Sequence, residues 1–202
     1  MSSYSIIGSG AIGSALAGHF ASRSIEVLLT NNRGPASLED LVRKLGSKVR
    51  AATVKDAAKA DIVILAVPWA AHADAVAGLE PWDGRIVIDA MNAASIGPEG
   101  LRPFDLGGRP SSQVVADRLT GARVVKAFNT LAAAVLASDP QSNGGRRMLF
   151  LSGDDVPAKQ EVAKLIDRLG FVAIDLGDFD TGSRLQQFPS GPLAGINVVQ
   201  FP

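Results

Sequence analysis

The sequence predicts an α/β protein: a doubly wound parallel sheet followed by a small C-terminal α/β extension. Three observations predict it. Short apolar runs alternate along the chain with segments of helical period, the pattern of repeated β-α-β units. The stretch Asp61 to Val67 is a continuous run rich in β-branched residues and stopped by Pro68, as expected of a strand buried on both faces. A glycine-rich turn, Gly8 to Gly13, joins the first apolar run to the first helical segment.

Taken in order, Tyr4 to Ile7 reads as a strand ending in glycines. Ala11 to Arg23 reads as a helix, with Ile12, Leu16 and Phe20 on one face. Ile25 to Leu29 is the second strand. Ser37 is placed as the N-cap, with Asp40 three residues on, of a helix ending at Gly46. Val49 to Val54 is a weak strand, Lys55 to Ala60 a short helix, and Asp61 to Val67 the buried strand. Trp69 to Leu79 predicts a helix and Arg85 to Asp89 a strand. The glycines and prolines between Asn92 and Pro110 predict a loop. Ser111 and Ser112 are placed as caps of a helix through Leu119, and Arg123 to Phe128 as a strand. Leu131 to Ala137 is a helix and Asp139 to Gly145 a loop. Met148 to Leu151 is a strand, Asp155 to Leu169 a helix with Asp154-Asp155 as its cap, and Phe171 to Ile174 a last strand. Residues 1–148 are expected to form the nucleotide-binding domain and 149–202 the extension packed on it.

At 202 residues the chain can bury roughly 70% of its unfolded surface as one unit. The absence of cysteine excludes disulfides, thiolate metal sites and thiol nucleophiles, and two distant histidines make no metal cluster. Twenty Lys+Arg balance twenty Asp+Glu, which argues against a nucleic-acid partner. No apolar run is long enough to span a membrane, and the first ten residues carry no leader pattern. A soluble, cytoplasmic chain is expected.

Gly8-Ser9-Gly10-Ala11-Ile12-Gly13 is a complete G-x-G-x-x-G between a strand and a helix, the context in which the motif binds a dinucleotide. Gly8 permits the turn, Gly10 lets backbone approach a pyrophosphate, and Gly13 lets the helix pack close to the strand. Free amides at the helix start then face the phosphate charge. This is the signature of a Rossmann nucleotide-binding fold. At the end of the second strand an NAD enzyme carries a carboxylate for the ribose hydroxyls. Here the segment is Thr30-Asn31-Asn32-Arg33-Gly34. With no carboxylate and a planar cation in Arg33, it favours NADP, whose 2′-phosphate suits a guanidinium. The bland alternative is a solvated arginine in a polar loop.

The catalytic inventory is short. Tyr4 is the only tyrosine and lies inside the first strand, which excludes a Tyr-x-x-x-Lys dehydrogenase. His19 reads as a surface residue of the first helix. His72 reads as the start of a helix, with a role at the cleft as the alternative. Lys126 reads as extending from a strand edge into solvent, with an active-site lysine as the alternative. No catalytic acid–base residue and no metal site is assigned. Hydride transfer between two flat rings requires none, because positioning supplies most of the effect.

The succession Gly-Ser-Gly-Ala-Ile-Gly, Thr-Asn-Asn-Arg-Gly-Pro (30–35), Ala-Val-Pro-Trp (66–69), Val-Val-Lys-Ala-Phe-Asn-Thr (124–130), Leu-Ser-Gly-Asp-Asp (151–155) and Gly-Pro-Leu-Ala-Gly (191–195) resembles the NADPH-dependent reductases of coenzyme F420, an 8-hydroxy-5-deazaflavin. It is also similar to the NADPH-oxidising domain of membrane ferric reductases. The resemblance implies NADP contact by Ser9 to Ile12 and, at the 2′-phosphate, by Asn31, Asn32 and Arg33. It further implies that Val67, Pro68 and Asn92 border the adenosine and nicotinamide halves. Asn129, Thr130, Leu131 and Ala133 would lie against the nicotinamide and the deazaflavin. The implied reaction is hydride transfer between NADPH and F420 as substrate, and a homodimer is the family-level expectation. An NADPH-dependent flavin reductase and a non-catalytic NADP-sensing module are the alternatives.

Overall fold

A computed structural model of the chain describes residues 2–98 and 100–202. In chain order the elements are β1 (Tyr4–Ile7), α1 (Ala11–Ser22), β2 (Val27–Thr30), α2 (Glu39–Leu45), β3 (Val49–Ala51), α3 (Val54–Ala57), β4 (Ile62–Leu65), α4 (His72–Ala75) and β5 (Ile86–Asp89). A hairpin follows, β6 (Ala94–Gly97) and β7 (Gly100–Pro103), then α5 (Ser111–Arg118), β8 (Arg123–Ala127) and α6 (Ala133–Ala137). The last part holds β9 (Gln141–Ser142), β10 (Gly145–Ser152), α7 (Val156–Arg168), β11 (Val172–Asp175), α8 (Arg184–Gln186) and β12 (Val199–Gln200). Among the described residues no helix is long and apolar enough to cross a membrane.

The main sheet runs β11-β10-β8-β5-β4-β1-β2-β3, with β9 and β12 paired to β10. From β3 to β8 every neighbour is parallel. The chain builds outward from β1 through β2 to β3, then returns to lay β4 on the other side of β1. The strand order therefore reverses between β1 and β4, where doubly wound sheets bind their ligands.

Alternation along each strand divides the core into two layers, because successive side chains point to opposite faces. Ile6, Ile64, Ile88 and Val125 join Leu16 and Phe20 of α1 and Val162 and Ile166 of α7. Ile7, Val63, Val87 and Val124 face the other way, toward Trp69, Trp82, Val115 and Leu119. Leu16 and Phe20 are fully buried, each worth about 1.5–3 kcal/mol of apolar transfer.

Several sequence expectations are corrected. The sheet is not parallel throughout, since β10 runs antiparallel to β8. Instead of crossing the sheet, the chain after β8 makes a short helix beside α1 and reverses at Asn143-Gly144. Both residues have positive φ, 50° and 83°, as a two-residue hairpin turn requires. The boundary at 148/149 falls inside β10, and β10 and β11 continue the same sheet. The segment 92–110 is not wholly loop, because β6 and β7 pair within it. Ser37 does not cap α2: a 3-10 turn, Pro35–Leu38, precedes that helix. Ser111 and Ser112 sit inside the first turn of α5 and are buried, with Pro110 at the cap. The helix expected over 69–79 is only a 3-10 turn followed by the four residues of α4. His19 is not at the surface. It is buried in the α1–α6 seam, its Nε2 2.5 Å from the Leu136 carbonyl and its ring edge-on to Phe171.

The cap expected at Asp155 is present: its carboxylate accepts the Ala158 amide at 2.8 Å. It also takes two bonds of 2.7 Å from Arg123 on the strand alongside. These contacts, chiefly the guanidinium, hold the Asp155 carboxyl at about 2, below its ordinary 3.8. Its folded value lies below its unfolded value, so the contribution to stability is full above pH 3.8 and is lost as pH falls through 2. Replacing Arg123 by Gln is expected to move the Asp155 titration, read by NMR, back toward 3.8 and to raise the acid-unfolding midpoint. His19 acts in the same direction at higher pH. Burial holds its imidazole below 6.5, so the unfolded chain takes up the proton first and stability declines as pH falls below that value.

Candidate functional site

The carboxyl ends of β1, β2 and β4 meet in a cleft of about 520 Å³. Gly8, Ser9 and Gly10 form its floor, Asn31, Asn32 and Arg33 one rim, and Ala66, Val67 and Pro68 the other. Ile7, Val54, Ala71, Asp74 and Ala75 complete the lining. A hollow of about 630 Å³ lies at the opposite edge of the strands, around Tyr4, Ile25 and Arg168, away from the switch point.

Each loop glycine has a distinct physical reason. Gly8 has φ +120°, and a Cβ there would stand 2.2 Å from the Ala66 carbonyl oxygen. A Cβ on Gly13 would stand 1.8 Å from the oxygen of Gly8, so α1 can approach β1 only without one. Gly10 differs: nothing lies within 4 Å of where its Cβ would be. Its φ of −71° is open to any residue, so neither packing nor backbone demands glycine there. The space is free above the start of α1, where the amides of Ala11, Ile12 and Gly13 precede the first helical bond, Ser14 N–H to the Gly10 carbonyl at 2.8 Å. An anion cradle has this form.

The rim is organised by Asn31. Its Nδ2 donates to Ser9 Oγ at 3.2 Å and to Ser37 Oγ at 3.0 Å, while its Oδ1 accepts the Arg33 amide at 2.9 Å. Asn31 thus ties the second-strand loop to the glycine loop, and Asn32 and Arg33 are left exposed on the cleft edge. Asp74, a carboxylate that sequence reasoning missed, faces the same cleft from α4. Its position in a short helix far along the chain gave no local signal.

The remaining candidates lie beyond the cleft lining. Asn92 follows β5 and Asn129 follows β8, and they bond reciprocally. Asn92 Nδ2 donates to the Asn129 carbonyl and Asn129 Nδ2 to Asn92 Oδ1, both at 3.0 Å. Asn129 is buried, and Gln186 from the C-terminal segment completes it with two further bonds. Phe128, just before it, is buried at φ +65°, a conformation disfavoured for a bulky side chain. Ala133 opens α6 and is half-buried. His72 is buried against Trp69, with its Nδ1 2.5 Å from the Trp69 carbonyl, as the start of α4.

Lys126 corrects the expectation of a solvent-facing side chain. It is fully buried, 3.2 Å from an equally buried Asp89 on the neighbouring strand. Sequence reasoning could not pair them, because β5 and β8 become neighbours only in the sheet.

The family model for "NADP oxidoreductase coenzyme F420-dependent" matches residues 3–93, from β1 through the turn after β5. The hypothetical protein SMa0349 of Sinorhizobium meliloti is 48% identical in sequence, with a TM-score of 0.94 and 99% of this chain and 96% of that chain covered. A crystal structure from Arthrobacter sp. FB24, of a protein proposed to be an F420-dependent NADP reductase, is 26% identical with a TM-score of 0.70, covering 89% and 86%. Residues 3–93 thus resemble the F420-dependent NADP oxidoreductases, and the chain is similar along nearly its whole length to SMa0349. The rat metalloreductase STEAP3 is a more distant relative, 24% identical over 185 residues. Those residues are 91% of this chain but 36% of that protein, so the chain spans about a third of its length.

A dinucleotide held over the start of α1 requires Gly10 and Gly13 to respond differently to substitution. Gly10→Val adds a Cβ that meets nothing within 4 Å. It is expected to leave the melting temperature within about 2 °C while weakening NADPH by at least ~10-fold in a fluorescence titration. Gly13→Ala drives Cβ into the Gly8 carbonyl and should lower the stability itself, by about 1–3 kcal/mol in urea unfolding. Equal affinity for NADPH in Gly10→Val and the parent would place the pyrophosphate elsewhere.

Proposed function

We propose that the protein transfers hydride between NADPH and the deazaflavin coenzyme F420. The observation that carries the nucleotide half is the open space above Gly10 at the start of α1, with Arg33 on the rim of the same cleft. The acceptor half is supported by the family match and by the order of motifs along the chain.

Bound NADPH supplies the hydride from its nicotinamide. The residues of the chain hold and orient. The first-turn amides of α1 offer donors to the pyrophosphate, and the positive end of the helix dipole favours its charge. Arg33 presents two parallel N–H donors to a 2′-phosphate, one charge-assisted contact being worth about 1.5–3 kcal/mol. Val54, Val67 and Ala75 give the adenosine half an apolar wall. With the pyrophosphate over β1 and the adenosine ribose at the end of β2, a dinucleotide crossing the switch point places its other half over the ends of β4, β5 and β8. The turns after β5 and β8, bearing Asn92 and Asn129, lie there.

Two measurements test this. Mixing the protein with NADPH and oxidised F420, then with FMN, is expected to bleach the visible absorbance of F420 with matching loss of NADPH. Bleaching of FMN alone would make the protein a flavin reductase. Tight NADPH binding with neither acceptor reduced would leave an NADP-binding module and end the enzymatic proposal. Separately, Arg33→Ala should weaken NADPH by roughly 10-fold or more and leave NADH nearly unchanged. An equal loss for both would mean that Arg33 does not read the phosphate.

A further inference from the structure

Asp89 and Lys126 stand opposite each other in register at the carboxyl ends of β5 and β8. Both are wholly excluded from solvent. Their neighbours two residues back on the same face, Val87 and Val124, are apolar, and the strands pair there without any charge. Two well-packed apolar side chains at 89 and 126 would be as stable as this pair, or more so, because burying two charges costs more than their attraction commonly returns. Cohesion of the sheet therefore does not account for it.

The hydrogen bonds show what the pair holds. Asp89 Oδ1 accepts the Met91 amide at 3.0 Å, and Lys126 Nζ donates to the Met91 carbonyl at 3.2 Å. Ser112 Oγ, from α5, donates to Asp89 Oδ2 at 2.6 Å and holds the carboxylate in place. Both polar groups of Met91 are thus clamped by one ion pair, and the Met91 carbonyl belongs to the peptide that leads into Asn92. The Asn92 side chain in turn grips the backbone and side chain of Asn129, immediately after the left-handed Phe128. One continuous chain of contacts runs from the buried charges to the turn after β8.

We propose that Lys126 and Asp89 are positioning residues, whose ion pair sets the Asn92–Asn129 platform at the nicotinamide end of the cleft. Its functional half rests on the hydride-transfer proposal above. Its structural half does not: the pair fixes the loop whether or not a hydride acceptor is present.

The test is the double variant Asp89→Leu/Lys126→Met, which removes both charges and keeps the volume. Hydrogen exchange of the free protein, read by mass spectrometry, should accelerate at least ~10-fold in the peptide spanning 128–133. The glycine-loop peptide spanning 4–13 should be unchanged, and the NADPH dissociation constant should stay within about threefold, because the cradle at β1 and β2 is untouched. The turnover number with the acceptor should fall at least ~10-fold with little change in the KM for NADPH. Unchanged exchange at 128–133 would overturn the proposal, and so would uniform acceleration across the sheet, the mark of a merely structural pair. Should the double variant not fold, Asn92→Ala breaks the same chain one link downstream without disturbing the buried charges. It must then give the same local acceleration at 128–133, and its failure to do so overturns the proposal equally. A parent protein that reduces neither F420 nor FMN would refute the hydride-transfer function, while the exchange measurement still decides the positioning role.

Discussion

Everything at the cleft depends on one close approach of backbone to backbone. The start of α1 rests on the turn after β1 with so little space that a single carbon on Gly13 would overlap the Gly8 carbonyl. Gly8 in turn lies against the carbonyl of Ala66, just past β4. These contacts bring the end of β1, the start of α1 and the turn after β4 together at the place where the strand order reverses. The helix amides are thereby aimed into the cleft. The buried layer of Leu16, Ala17 and Phe20 beneath α1 holds the helix in that position.

The region beyond the cleft, at the ends of β5 and β8, is built on a different principle. Around β5, β8 and the C-terminal segment the contacts are polar and buried: Asp89, Lys126 and Ser112 on one side, Asn92, Asn129, Gln186 and Ser152 on the other. Such networks are directional, so they define one geometry where an apolar core accepts several. They also offset the cost of holding Phe128 at positive φ, a strain of about 1–3 kcal/mol that persists only when its surroundings over-determine it. A turn held in this way suits a task in which geometry supplies the rate.

The protein thus divides its work between two kinds of chemistry. At β1 and β2 it offers amides, a cation and open space, which suit a phosphorylated nucleotide in charge and shape. At β5 and β8 it offers rigidity. The sparse inventory of titratable groups near the switch point fits a protein that aligns two reactive rings and leaves the electronic work to them.

The glycine loop, the strands flanking it and the basic rim were legible in the sequence, because each depends on residues adjacent in the chain. Gly8, Gly10 and Gly13 carry their roles in their spacing, and Arg33 is notable through the lack of a carboxylate beside it. The cap at Asp155 was readable for the same reason, and the turn at Asn143-Gly144 could have been read from its dipeptide alone. The burial of His19, the pairing of Asp89 with Lys126 and the role of Gln186 were not legible. His19 is covered by α6, which lies 117 residues from it at the contact with Leu136. Lys126 meets its partner across 37 residues, and Gln186 reaches Asn129 across 57. By itself, then, the sequence determined a doubly wound nucleotide-binding fold and the cradle at its first turn. Only the tertiary structure decided which charges are buried and what they hold, because burial and pairing depend on which strands become neighbours, and no local pattern records that.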